Sequence, residues 1–215
     1  ADVISTITGL TINNVSKLGD GGTTNYSEFE ADGTLEFNGA ATVFNDANVG
    51  AVLLTKPASG APSEVNFIDE AGGDTGIATL GFAVNEKVSG AIEIPHDYKQ
   101  GSDLVFHIHW QGIVAPAGGT DNVKWQLAYT VSRLDATLDA VTTIVKEVAF
   151  TTRYAFVRTD FTAITGTNFL IEDQFLFTLS RIAASSDEYA GEALTATVGL
   201  HYECDTVGSR TITTK

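Results

Sequence analysis

The stretch Asp103–Gln111, which reads Asp-Leu-Val-Phe-His-Ile-His-Trp-Gln, decides the fold class. Large apolar side chains occupy every second position, namely Leu104, Phe106, Ile108 and Trp110. The positions between them are Val105, His107, His109 and Gln111. Because successive side chains of a β-strand point to opposite faces, this alternation predicts a strand with one apolar face and one largely polar face.

Two other stretches, Val123–Val131 and Ala193–Cys204, repeat the alternation. One apolar face per strand is typical of antiparallel sheets packed face to face, and it argues against a parallel α/β sheet. Short runs of β-branched and aromatic residues between Gly, Pro, Asn and Asp clusters predict about ten strands. The predicted ranges are 41–44, 51–54, 65–68, 77–84, 88–94, 103–111, 122–134, 141–150, 170–182 and 193–204.

These elements predict an all-β protein, an antiparallel β-sandwich of jelly-roll type. Residues 1–35 are polar and rich in glycine, so we expect an extended N-terminal arm or edge strands there. Residues 36–215 are predicted to form a single sandwich domain. The best helical candidate, Arg133–Ala140, has room for one or two turns only.

Composition excludes several classes of protein. The 215 residues carry a formal net charge of −15, which repels phosphate backbones and predicts no nucleic-acid partner. A disulfide scaffold is excluded because Cys204 is the single cysteine. No apolar run approaches the length of a membrane span, so no membrane partner is predicted. The first fifteen residues lack the basic start and apolar block of a secretory signal, which predicts synthesis and use in a cytosol.

The clearest chemical candidate is the histidine set His107, His109 and His201. Alternation places His107 and His109 on one strand face, about 7 Å apart. Such a pair can bind Zn²⁺ when a neighbouring strand adds a third ligand, which His201, Glu203 or Asp205 could supply. The alternative is a polar outer face or a hydrogen-bonded subunit interface. Since the spacing matches no known zinc module, we predict structural histidines and no metal site.

The remaining candidates favour structural roles. Cys204 and His201 are three residues apart on one strand and so point to opposite faces, which argues against a nucleophilic pair. The carboxylate pairs Glu28/Glu30 and Asp69/Glu70 lack the aromatic platforms of a sugar cleft. A strip of aromatic residues could stack on a glycan, but its alternation with polar residues favours core packing. These residues are Trp110, Trp125, Tyr129, Phe175 and Phe177. The sequence therefore predicts no catalytic residue, no cofactor and no enzyme.

Three blocks resemble a family of virion structural proteins of tailed bacteriophages. Residues 95–110 follow the family pattern PHxYKxGSD…HxHW, residues 121–129 resemble GNVxWxLEY, and residues 201–210 follow HYxxDTxGSR. The blocks occur in the family's order, and the resemblance covers about residues 80–215. The chain departs from the family pattern at Asp121, where glycine is usual, and at Ala128, where glutamate is usual, and residues 135–168 show no match.

The resemblance implies a component of a phage particle, and it leaves open whether that component decorates the head, forms a head fibre or belongs to the tail. We expect a non-enzymatic virion protein that decorates or cements the capsid shell through contacts with capsid or other virion proteins. The alternative is a tail or fibre protein that binds a host-surface glycan. Outer faces of small uncharged residues and a polar arm also predict a homo-oligomer, a trimer or a dimer.

Overall fold

A computed structural model describes residues 17–19, 24–30 and 33–215. In these ranges the chain forms thirteen β-strands and three single-turn 3₁₀ segments, Gly39–Ala41, Ala51–Leu53 and Ala117–Gly119, and it forms no α-helix. The strands are Lys17–Gly19 (β1), Tyr26–Phe29 (β2), Leu35–Asn38 (β3), Val43–Gly50 (β4), Ser63–Ile68 (β5), Asp74–Phe82 (β6), Lys87–Glu93 (β7), Val105–Gly112 (β8), Asp121–Ser132 (β9), Thr142–Phe150 (β10), Phe156–Asp160 (β11), Gln174–Ile182 (β12) and Ala193–Cys204 (β13).

Strands β6 to β13 form a jelly roll. One sheet has the order β6–β13–β8–β11 and the other has the order β7–β12–β9–β10, with all neighbours antiparallel. The chain passes from one sheet to the other at every step except the β9–β10 hairpin and so winds two Greek keys. The predicted antiparallel β-sandwich of jelly-roll type is therefore confirmed.

The first sheet is widened by two further strands. β5 extends it beyond β6, and β4 pairs with β13 from Val43↔Cys204 to Gly50↔Thr197. The register of β13 against β8 shifts between Thr195 and Thr197, where β13 changes its outer neighbour from β6 to β4. This irregularity brings β4 alongside the half of β13 that carries His201.

The core lies between the two jelly-roll sheets and is rich in aromatic residues. Trp110 and Trp125 are fully buried with ring centroids 6.3 Å apart, and Phe82 packs edge-on against Trp125 at 5.4 Å. Phe175 and Phe177 are buried against Phe106. Tyr129 is partly buried and stacks on Phe175 at 5.0 Å. The predicted assignment of the aromatic strip to the core is confirmed.

A small three-stranded sheet, β1–β2–β3, precedes the sandwich. It meets the C-terminal segment through an isolated bridge between Glu36 and Thr206. β3 begins at Leu35, so the domain boundary predicted after residue 35 falls inside this sheet and remains a prediction. Residues 1–16 of the predicted arm lie outside the described residues.

Three sequence predictions of local structure are wrong. The apolar run 51–54 forms a 3₁₀ turn at Ala51–Leu53, because four apolar residues show no period that separates a strand from a buried turn. Arg133–Ala140 forms turns and irregular backbone, and Asp135 has a left-handed φ of 57° that a helix does not allow. β11 was missed, since its sequence Phe-Val-Arg-Thr-Asp is short and half polar.

Within the described part of the chain, no helix has the length and apolar composition that crossing a bilayer requires.

Candidate functional site

A cluster of two histidines and one carboxylate lies on the outer face of the widened sheet. His107 is on β8, His201 is on β13 and Asp46 is on β4. The register places His201 directly beside Asp46, and it places Gly199, two residues before His201, beside His107. Because β13 lies between β4 and β8, strand pairing alone brings the three side chains to one place. We call Asp46, His107 and His201 the outer triad.

The atoms of the outer triad that could bind a metal lie close together. His107 Nε2 is 3.6 Å from Asp46 Oδ2, and His201 Nδ1 is 3.6 Å from Asp46 Oδ1. One such atom from each residue can be chosen so that all three lie within 4.8 Å of one another. The imidazole rings of His107 and His201 stack with centroids 4.0 Å apart and planes inclined by 16°.

His107 is fully buried, although its ring is polar. Neither His107 nitrogen has a hydrogen-bond partner among the described residues, and the same holds for His201 Nε2. The pKa of His107 is lowered to about 4, chiefly because the ring is buried; Asp46 opposes this shift, whereas the neighbouring His201 and His109 contribute to it. The buried ring is therefore neutral at pH 7 and keeps a free lone pair.

Gly199 makes room for this arrangement. A Cβ atom on Gly199 would overlap Asn48 Oδ1 and lie 2.9 Å from His107 Cε1. The His107 and Asn48 side chains therefore lean over the Gly199 backbone from the two flanking strands. A side chain at position 199 would push His107 away from Asp46 and His201.

His109 and Asp160 flank the outer triad on its other side. The His109 ring lies 5.1 Å from that of His107 and 6.2 Å from that of Phe156, and it stays partly exposed. Asp160 faces His107 across the β8–β11 register. Asp160 Oδ2 accepts a 2.8 Å hydrogen bond from Arg158, whereas Oδ1 is buried and has no partner among the residues that are described.

The structure brings His201 beside His107, as the sequence suggested, but Asp46 and not His109 completes the cluster. Glu203 pairs with Lys99 at 2.7 Å and Asp205 pairs with Lys215, so both are engaged away from the outer triad. Asp46 was missed because the predicted strand 41–44 ends before it and because its pairing with His201 spans most of the chain. No local spacing in the sequence could have indicated that pairing.

The other sequence candidates have structural contacts. Cys204 is buried on the face opposite His201, and its thiol donates to Asp97 Oδ2 at 3.2 Å. Burial, with the nearby Asp97 carboxylate, raises the pKa of the Cys204 thiol to about 12, which makes it a poor nucleophile. Asp69 Oδ1 accepts backbone N–H groups from Ala71 and Gly73 and so closes the β5–β6 turn. Glu28 pairs with Lys17 at 3.5 Å.

The outer surface of the second jelly-roll sheet carries a broad uncharged area. Ten outward-facing residues of β7, β9, β10 and β12 form it, and we call it the neutral face. They are Ser89, Ala91, Gln126, Ala128, Thr130, Thr143, Val145, Leu176, Thr178 and Ser180. Among the outward-facing residues of these four strands, charged side chains occur only at the borders of the neutral face, at Lys87, Glu93, Lys124 and Glu147. A charge-free centre is notable on a chain of net charge −15.

A cavity of about 220 Å³ opens where the β9–β10 connection meets the segment before β12. Its wall includes the ring of Tyr129 and the polar side chains of Arg133, Asp139 and Asn168. Arg133 is held by Asp173 at 3.3 Å. The cavity therefore combines one aromatic ring with hydrogen-bonding groups.

No protein-family model matches this chain, and no curated protein matches it. Among solved structures, the chain is similar to the CBM36-1 domain of a multidomain xylanase from the hindgut metagenome of Trinervitermes trinervoides, with 11% identity, a TM-score of 0.34, and coverage of 73% of this chain and 96% of that one. It is also similar to TmCBM61 in complex with β-1,4-galactotriose, with 10% identity, a TM-score of 0.26, and coverage of 77% and 88%.

A third similar structure is dimeric latent PorU from Porphyromonas gingivalis, with 8% identity and a TM-score of 0.31. The match covers 75% of this chain but only 13% of that one. At such low identities and TM-scores, these likenesses carry no information about what this chain binds or does.

Proposed function

We propose that this chain is a non-enzymatic structural protein of a bacteriophage particle, which decorates or cements the capsid shell by packing its neutral face against virion proteins. The neutral face is the single observation that carries the proposal. Cores of protein interfaces are depleted of charged residues, because a charge buried without a partner is costly. On a chain with 27 acidic residues, a sheet surface without any at its centre suits burial in a subunit contact.

The chemistry of the neutral face also suits close packing. Ser, Thr and Ala side chains are short and lose little conformational freedom when they are buried. Their hydroxyl groups can bond to each other, as Ser89 and Thr178 do at 3.0 Å. Such a surface can pack against a second sheet at close range. The resemblance of residues 80–215 to phage virion proteins supplies the class of partner, and we propose a homo-oligomer, a dimer or a trimer, on the particle.

The test is attachment to particles. Particles of the phage that encodes this chain, prepared without the protein, are mixed with the wild-type protein or a variant and sedimented. Thr178→Lys places a charge at the centre of the neutral face, and we expect at least a tenfold loss of co-sedimentation. Thr162→Lys, at an exposed loop position outside the neutral face, is the matched control and should attach like the wild type. Failure of the wild type to attach, or equal attachment by Thr178→Lys, would overturn the proposal.

Light scattering on the free proteins tests the oligomer separately. We expect a wild-type mass of two or three times 22.7 kDa, and a smaller mass for Thr178→Lys if the same face joins the copies. If the wild-type protein has the mass of one chain and still attaches to particles, the proposed homo-oligomer is wrong and the proposed capsid contact stands.

The alternative function, a tail or fibre protein that binds a host-surface glycan, is favoured by one observation, the 220 Å³ cavity beside Tyr129. Sugars bind through hydrogen bonds from planar polar groups and contacts with aromatic rings. The test is titration of host-surface oligosaccharides into the wild type and into Asn168→Ala. Saturable binding that Asn168→Ala weakens would favour the glycan function, and absence of binding by the wild type would remove it.

A further inference from the structure

The outer triad offers the donors of a transition-metal site. Two imidazoles and one carboxylate are ligands that Zn²⁺ accepts in three-ligand sites, in which water or another group fills the fourth position. Imidazole nitrogen favours transition metals over Ca²⁺ and Mg²⁺, which prefer oxygen ligands alone. The donor set therefore selects the class of ion.

The distances agree with this chemistry. Ligand atoms about 2.0–2.1 Å from a tetrahedral Zn²⁺ ion are about 3.3 Å from each other. Each triad histidine has a nitrogen 3.6 Å from one of the two oxygens of Asp46, and one ligand atom from each of the three residues lies within 4.8 Å of the others, so side-chain movement alone can bring the donors to the spacing that Zn²⁺ requires. The same 3.6 Å is longer than a hydrogen bond, so Asp46 does not satisfy the histidines by itself.

The second observation is the state of His107. Its ring is fully buried, and within the described ranges neither nitrogen finds a hydrogen-bond partner. Buried polar atoms are nearly always satisfied in native proteins, and an unsatisfied one needs an explanation such as a bound ion. We propose that Asp46, His107 and His201 bind one divalent transition-metal ion, with Zn²⁺ the ion that best fits the donors.

Binding requires one local adjustment. A metal ion lies in the plane of the imidazole that binds it, whereas the His107 and His201 rings are stacked with nearly parallel planes. The His201 side chain is 27% exposed, so its ring can turn about the Cβ–Cγ bond without disturbing the core. The His107 side chain is fully buried and therefore restrained, so it would define the position of the ion.

The surroundings admit and attract a cation. Asp46 is 32% exposed on the side chain and opens the outer triad to solvent. Asp160 faces His107 from β11, has one oxygen without a hydrogen-bond partner among the described residues, and adds negative charge beside the cluster. A bound ion would join β4 to β8 across β13 and would fasten the added strand β4 to the jelly roll. This inference does not depend on the proposed virion function.

The experiment uses wild-type protein without a histidine tag, stripped with a chelator and dialysed. Calorimetric titration with ZnCl₂ at pH 7.5 should show saturable binding of about one equivalent, and melting should shift to higher temperature with Zn²⁺. Asp46→Ala and His201→Ala should each weaken binding at least tenfold. His109→Ala removes a histidine from the same strand face and is the matched control, which should bind within about twofold of the wild type.

Absence of saturable Zn²⁺ binding by the wild type overturns the proposal, and so does an equal loss in His109→Ala and His201→Ala. A second measurement on the wild type guards against variants that fail to fold. Imidazole NMR signals of His107 and His201 should shift on addition of Zn²⁺ while those of His96 stay in place. A shift at His96 instead would place the ion elsewhere and overturn the assignment.

Discussion

Tyr202 donates its hydroxyl hydrogen to Asp97 Oδ1 at 2.9 Å and so joins the last strand of the sandwich to the loop before β8. The second Asp97 oxygen accepts Asn45 Nδ2 at 3.0 Å and the Cys204 thiol at 3.2 Å. One carboxylate thus connects β4, β13 and the Pro95–Asp103 loop. It also brings together two of the three sequence blocks that resemble phage virion proteins.

Asp97→Asn should destabilise the fold by about 2 kcal/mol at pH 7, because hydrogen bonds to a charged acceptor are stronger than those to a neutral one. The NH₂ group of an asparagine at position 97 would also face one of the three side chains that donate to Asp97, so that two donors would meet without an acceptor. Urea denaturation measures the effect. Asp135→Asn, at an exposed loop position, is the control and should leave the free energy of unfolding nearly unchanged.

The stability difference between the wild type and Asp97→Asn should depend on pH. Burial acts to raise the pKa of Asp97, but the hydrogen bonds from Asn45, Cys204 and Tyr202 outweigh it and hold the pKa below its ordinary value of 3.8. The ionised group therefore stabilises the fold above the unfolded-state pKa, and this stabilisation is lost as the pH falls through the lower folded-state pKa. The difference in stability between wild type and Asp97→Asn should shrink below pH 3.8. A constant difference down to pH 2.5 would contradict this account.

Gly199→Ala should cost about 1–3 kcal/mol, because overpacking forces neighbouring side chains out of position. The new methyl group would overlap Asn48 Oδ1 and press on His107. Gly50→Ala, on the same pair of strands, is the matched control, since a Cβ there meets no atom within 4 Å. Thermal unfolding of both variants provides the comparison, and equal melting temperatures would show that the space over Gly199 is not needed.

Arg181→Leu should lower the free energy of unfolding by about 3 kcal/mol or more, since buried partners lose their donor. The Arg181 side chain is 1% exposed and donates to the carbonyl oxygens of Phe82, Tyr189 and Gly191 as well as to Glu188. Arg158→Leu is the control, because its side chain is 56% exposed and surface ion pairs contribute little. If chemical denaturation gives Arg181→Leu and Arg158→Leu the same free energy of unfolding, the stabilising role of the buried Arg181 side chain is contradicted.

Cys204 should be almost unreactive in the native protein. Burial raises the pKa of its thiol to about 12, so the thiolate that attacks disulfide reagents is scarce at pH 8. Reaction with a chromogenic disulfide should be at least 100-fold slower in buffer than in 6 M guanidinium chloride. Rapid labelling of the native protein would mean that the strand end at Cys204 opens readily.

Strands with strict alternation were predictable because that pattern is local. β13 was predicted with the bounds that the structure shows, Ala193–Cys204, and β8 and β9 differ by one or two residues at each end. In each of these strands, one row of apolar side chains has to be buried away from water. A β-strand places every second side chain on the same face, so the alternating sequence pattern matches the strand geometry. β4 was harder to predict from its sequence. It widens a sheet whose apolar face is already covered, and most of its side chains are exposed. The predicted range 41–44 includes only the first two of its eight residues, Val43 and Phe44.

Sequence alternation was thus sufficient to determine which residues of β8 and β13 face outward, including His107 and His201, since that follows from each strand's own chemistry. Their meeting with Asp46 depended on the tertiary structure. It required β13 to lie between β4 and β8, and it required the register that pairs His201 with Asp46 across 155 residues of sequence (201 − 46). Register is set by packing of the whole sheet and by the shift after Thr195, so no local pattern contains it.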